Sequence, residues 1–145
     1  MHPYPHRYRA SAAGGAAGDV IVASPTLPDI ATAPPPQFDG PEGHWSPETL
    51  LCAAVANCFI LTFRGVSRAA RFEWLTLDCQ VEGTLERVEG KAQFTRFESV
   101  ATLGVAAGAD AANARALLER AEHACLVSNS LRGERTLRTE VVEVA

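Results

Sequence analysis

Ser46-Pro47-Glu48-Thr49-Leu50-Leu51-Cys52-Ala53-Ala54-Val55-Ala56-Asn57-Cys58-Phe59-Ile60-Leu61-Thr62-Phe63 is the stretch whose reading decides the fold. It opens as a helix opens. Ser46 supplies a side-chain oxygen for the free N–H groups of the first turn, and Pro47 suits the first helical position. Glu48 places negative charge at the positive end of the helix dipole. The following residues are apolar on nearly every face, which predicts a central helix buried all round, running from about Ser46 to the neighbourhood of Ala70. Gly65 is a candidate bend, and Arg64, Arg68 and Arg71 suit the C-terminal half. Such a helix carrying Glu48, Cys52 and Cys58 is the first place to look for chemistry.

The chain has 145 residues, 47% hydrophobic and 21% charged, with a net charge of −4. This fits a single soluble domain spanning 1–145, or an intertwined dimer of such chains, with residues 1 to 17 expected to be partly flexible. The charge balance gives no reason to expect nucleic acid or an anionic membrane as partner. No secretory signal is visible at Met1-His2-Pro3-Tyr4-Pro5-His6. The apolar part of the central helix falls short of a bilayer span before Arg64. A cytoplasmic location is therefore expected, in which the four cysteines stay reduced and any disulfide is transient.

On either side of the central helix the pattern is short strands, a loop, then a long hairpin, a helix and a strand. Tyr8–Ala12 and Asp19–Ser24 read as a first hairpin across a Gly-rich turn. Residues 25–45 are proline-rich and read as a long loop that wraps a surface or lines a site. Trp74–Leu85 alternates as a strand, 86–90 turns, and Ala92–Val105 returns. Asp110 to about Leu126 reads as a second helix, Ser128–Gly133 as a turn and Thr136–Val144 as a final strand. The order predicts an α+β class with helices stacked on antiparallel sheet. A helix buried all round needs more cover than one small sheet gives, so a dimer packing two central helices is expected.

Two thiols stand out by their surroundings: Cys58, deep in the central helix, and Cys125, closing the second helix before a polar turn. Either also reads as a small buried hydrophobe. No C-x-x-C pair or His at ligand spacing accompanies them, so no metal and no cofactor is expected. His123 reads as an exposed helix residue and Cys79 as structural. Cys52 reads first as a small core residue and second as an alternative resolving thiol. Glu48 has reason enough to exist in the helix dipole. It lies ten residues before Cys58, about 280° around the helix, on an adjacent face. His44 and Trp45 cover a pocket entrance or serve as a loop residue and a hydrophobic staple.

The run Ser46–Leu51 followed by Ala53–Phe59 resembles the central-helix motif of the OsmC/Ohr family, in which a Pro-Glu pair opens the helix and the reactive cysteine follows ten residues later. Ala121-Glu122-His123-Ala124-Cys125-Leu126-Val127-Ser128-Asn129-Ser130 is similar to that family's second motif, a helix-ending cysteine before a Ser-Asn turn. The resemblance covers about Ser46 to the C-terminus well and the first 45 residues loosely. It implies an OsmC-like fold, an intertwined homodimer with sites at the subunit interface, and a cysteine-dependent peroxidase acting on organic hydroperoxides. Carried over by position, Cys58 is the peroxidatic thiol, Cys125 the resolving thiol and Glu48 a catalytic partner, with a lipoyl-type or small dithiol as reductant. Thiolate attack giving a sulfenic acid is sound chemistry for such a pair.

Two positions depart from the pattern. Gly14-Gly15 is followed by Ala16, where the family's peroxidases carry an arginine that pairs with the glutamate; Arg7 and Arg9 are the nearby candidates. Leu126 replaces a common proline. The alternatives are a non-catalytic OsmC-like protein that binds an apolar ligand, and a thiol redox sensor.

Overall fold

The computed structural model describes residues 1–144. Residues up to Leu50 and from Leu51 onward form two compact units. The first holds an antiparallel sheet of three short strands in sequential order, β1 (Ser11–Ala13), β2 (Val20–Ala23) and β3 (Ile30–Thr32). The hairpin of β1 and β2 was expected. β3 was not, because Ile30-Ala31-Thr32 is short and lies among prolines that give a loop composition. The expected loop is further structured by a 3-10 turn at Pro36–Phe38, closed by Asp39 in the left-handed region. Gly40 follows, and a side chain there would run into the Pro34 carbonyl at 1.7 Å, so only glycine allows this close approach.

Helix α1 (Pro47–Ala70) starts where the sequence places it. Ser46 and Thr49 form a reciprocal cap. The Thr49 N–H donates to Ser46 Oγ at 3.2 Å, and the Ser46 N–H donates to Thr49 Oγ1 at 2.9 Å. Thr49 thus takes the place of the Glu or Gln of a capping box.

The second unit is built on a three-stranded sheet of β4 (Thr76–Val88), β5 (Lys91–Val105) and β6 (Glu134–Glu143), with α2 (Ala111–Ala124) and the single turn α3 (Leu126–Asn129) between β5 and β6. β4 and β5 pair antiparallel around the turn at Glu89-Gly90. The β5–β6 pairing is parallel, which corrects the expectation of a wholly antiparallel sheet. The reason is topological: a crossover through α2 returns the chain to the same end of the sheet. α2 begins on Asp110, whose carboxylate accepts from the Asn113 N–H at 3.0 Å.

One sheet face is apolar by alternation and carries the core. Ala101, Leu103 and Val105 of β5 pack with Phe59 and Phe63 of α1 and with Ala114, Leu117, Leu118 and Ala121 of α2. Trp74 meets Phe63 edge-on at 5.3 Å and donates its indole N–H to the buried Ser67 hydroxyl at 2.9 Å.

The expectation that α1 is buried all round is corrected. Only Val55, Phe59, Phe63 and Ser67 are buried. They form one stripe at helical spacing, because sheet and α2 cover one side of the helix. By length and composition alone, with Arg64 and Arg68 included, α1 is apolar enough to cross a bilayer.

Candidate functional site

Cys58 lies one residue off the buried stripe of α1, so its side chain is half-buried at the edge of the core. One turn later Thr62 offers Oγ1 to its sulfur at 3.8 Å. Cys125 is wholly buried at the joint of α2 and α3. Its extended backbone, φ −64° and ψ 105°, ends one helix and begins the next. The Cys125 N–H donates to the Glu122 carbonyl at 3.3 Å, and the Cys125 carbonyl accepts from the Asn129 N–H at 2.9 Å. The joint is therefore fully hydrogen-bonded on both sides of the cysteine.

The fold makes the two thiols neighbours: Cys58 acts on the ionisation of Cys125. Burial pushes the Cys125 thiol up from its ordinary value. Hydrogen bonds from Ser128, including its hydroxyl at 3.4 Å, pull it down, and the neighbouring Cys58 pushes it up again. The net direction is upward, so Cys125 is held as a neutral thiol beside Cys58. The two thiols are unbonded to each other.

An open groove of about 440 Å³ borders Cys58, lined by Ala54, Asn57, Leu61, Thr62, Leu126 and Val127. Leu126, the residue that replaces proline, is 66% exposed and Leu61 51% exposed, so the wall beside the thiol is aliphatic. Leu61 was expected to be buried with the rest of α1, and Leu126 was noted only where the family pattern has a proline. Both line this groove because α1 is covered on one side only.

Glu48 lies in the first unit and lines a cavity of about 400 Å³ with Ala12, Val20, Val22, Thr32, Ala33, Pro34, Pro35, Phe38 and Pro47. Its Oε2 is buried and, among the described residues, has no hydrogen-bond partner. Leaving such an oxygen without a donor is costly. Arg7 and Arg9 are exposed, and neither forms an ion pair among the described residues. Trp45 is half-exposed; its carbonyl accepts from the Ala33 N–H at 3.0 Å, and His44 pairs with Asp19 at 3.4 Å.

The remaining thiols are set apart by their surroundings. Cys52 packs into the notch left by Gly83, where an added methyl would sit 2.9 Å from its sulfur. Burial raises its pKa and a backbone hydrogen bond at Gly83 lowers it, with burial the larger effect. Cys79 faces the core from β4, and burial, then the charges of Glu122, Asp78 and Cys125, push it up to about 12. Among the described residues no cluster of three or more His, Cys, Asp or Glu side chains is placed to hold a metal ion.

Known proteins resemble the chain in sequence and in fold. The chain is 28% identical over 109 residues to YmaD of Bacillus subtilis, covering 73% of each. It superposes on an organic hydroperoxide resistance protein, OsmC, of Legionella pneumophila with a TM-score of 0.75 and 26% identity, over 96% of this chain and 98% of that one. An organic hydroperoxide resistance protein of Elizabethkingia anophelis shares the fold, with a TM-score of 0.79 at 21% identity over 99% and 100% of the two chains. The family model described as OsmC-like protein matches residues 40–140, which contain both cysteine motifs and the helices and hairpin that carry them, and the chain therefore belongs to the OsmC/Ohr family.

Proposed function

We propose that the chain is a cysteine-dependent peroxidase that reduces organic hydroperoxides. The observation that carries this reading is the placement of Cys58, at the edge of an aliphatic groove, beside the buried Cys125. The Cys58 thiolate attacks the terminal peroxide oxygen. The O–O bond breaks, the alkoxide leaves as alcohol after taking a proton, and Cys58 becomes a sulfenic acid. The Cys125 sulfur then attacks the sulfenic sulfur. An S–S bond forms, the S–O bond breaks, and hydroxide leaves with the Cys125 proton as water. A lipoyl-type dithiol restores both thiols by two exchanges and is itself oxidised to a disulfide.

The aliphatic wall of Leu61, Leu126 and Val127 suits an alkyl or fatty-acyl hydroperoxide better than hydrogen peroxide. Glu48 enters the catalytic set through the family pattern. The exposed apolar side of α1, with Leu61 and the groove, supports a homodimer through this helix. A reducing, cytoplasmic setting suits a cycle that starts from free thiols. The unpartnered Glu48 Oε2, with Ala16 at the arginine position, favours a second reading, a non-catalytic member that binds an apolar ligand.

Hydroperoxide turnover by the native chain with dihydrolipoamide, against Cys58→Ser, separates the two. Rapid consumption lost in the variant supports the peroxidase, and equal rates leave the binding protein.

A further inference from the structure

We infer that Arg135 is the positioning residue for Cys125. Its guanidinium ties together the two helices that meet at this thiol and so sets how fast Cys125 closes a disulfide on Cys58. The inference rests on the peroxidase reading for its kinetic form, but its structural basis is independent of it.

Along β6 the half-buried positions are Arg135, Leu137, Thr139 and Val141. Leu137 and Val141 pack on the core, so alternation turns Arg135 toward that same face, opposite Phe97 of β5 in the register. A charged side chain there is costly without partners. Arg135 finds three, all on one joint. Its Nε donates to Glu122 Oε1 at 2.8 Å, its Nη2 to the Glu122 carbonyl at 2.7 Å and its Nη1 to Asn129 Oδ1 at 2.8 Å. Asn129 in turn donates its Nδ2 to the His123 carbonyl at 3.1 Å.

The geometry is selective. Glu122 and His123 are in the last turn of α2, Asn129 closes α3, and Cys125 is the residue between the two helices. The Glu122 carbonyl accepts from both Arg135 and the Cys125 backbone N–H, so the guanidinium and the cysteine backbone share one acceptor. A planar fork reaches three acceptors at once, which a lysine ammonium on a single stem does not reproduce. The positive group also sits at the C-terminal end of α2, where the dipole favours it. Arg135 touches neither sulfur. It acts through the backbone that aims Cys125.

Condensation of a sulfenic acid with a neighbouring thiol depends steeply on placement, and loss of alignment by about 1 Å slows such steps by one to two orders of magnitude. Freed from the fork, α2 and α3 pivot about Cys125. The sulfenic acid on Cys58 then waits longer, while its own formation, which does not use Cys125, is unchanged.

The test is single-turnover oxidation of the reduced full-length chain with an organic hydroperoxide, followed by intact mass with and without a 1,3-dione that traps sulfenic acid. In Arg135→Gln, attack on the hydroperoxide keeps its native rate, closure slows roughly tenfold and the trapped adduct appears. Arg135→Lys falls between the two. Closure in Arg135→Gln within about twofold of native, or closure slowed only as much as attack, overturns the inference.

A native chain that forms no sulfenic acid overturns the peroxidase reading instead. Arg135 is then judged by the Cys58–Cys125 disulfide equilibrium with glutathione disulfide, measured in any case: Arg135→Gln lowers the oxidation constant at least about threefold, and an unchanged constant overturns the inference. Should Arg135→Gln not fold, Asn129→Ala removes one bond of the fork. It gives a smaller shift in the same direction, and no shift overturns the inference.

Discussion

Cys125, sealed at the joint of α2 and α3, neighbours Cys58, half-exposed on α1. Burial and this neighbour keep Cys125 protonated, although Ser128 opposes both. The pair is thus asymmetric, with one sulfur open to a groove and one withheld from it. The proposed cycle uses this asymmetry, with Cys58 meeting substrate and Cys125 meeting only Cys58.

Cys125→Ser is therefore expected to keep the first oxidation and lose the disulfide. After one equivalent of hydroperoxide the variant carries a sulfenic acid that a 1,3-dione traps. Excess hydroperoxide drives it on to sulfinic acid. Intact mass reads these states directly, and a variant that still forms an intramolecular disulfide points to Cys52 or Cys79 as resolving thiol.

Cys79 gives a pH dependence. Burial holds its pKa at about 12, against 9.0 for the ordinary thiol. Below pH 9 both folded and unfolded chains hold the proton, and its contribution to stability is fully present. From about 9 upward the unfolded chain loses the proton first, so stability falls as pH rises toward 12, by at most about 1.4 kcal/mol per pH unit from this group. Urea midpoints from pH 8 to 11 should decline less steeply in Cys79→Val than in the native chain. Parallel declines would remove Cys79 from the account.

The Gly83 notch predicts a coupling. A Cβ on Gly83 would lie 2.9 Å from Cys52 Sγ and 2.9 Å from Phe94 Cε1. Gly83→Ala should cost about 1–3 kcal/mol by overpacking. Cys52→Ala in that background should recover part of the loss, because it removes one of the two obstructions. Denaturant unfolding of the four chains of the cycle measures this, and strict additivity would contradict the packing described.

The α+β class was legible because its signals are local. Ser46-Pro47-Glu48 marks a helix start by capping chemistry, and the period-2 stretches around Glu89-Gly90 mark a hairpin. β3 was hidden because three residues between prolines carry no periodicity. The parallel seating of β6 was hidden because strand direction depends on the α2 crossover rather than on β6 itself. Overall hydropathy misled for α1, where composition sees no difference between Phe59 facing the core and Leu61 facing the groove.

At the site, Cys58 and Cys125 stood out by their surroundings, and the family resemblance paired them. Arg135 did not stand out. It lies just before the strand expected at Thr136–Val144, and only the three acceptors at the α2–α3 joint mark it out.

Consumption of hydroperoxide by Cys58 is read from the rate of organic hydroperoxide loss with dihydrolipoamide as reductant, for the native chain and for Cys58→Ser at equal concentration. Native turnover is expected to be sustained and to fall by roughly a hundredfold or more in the variant, to the uncatalysed background. A native rate no greater than that of Cys58→Ser would contradict it.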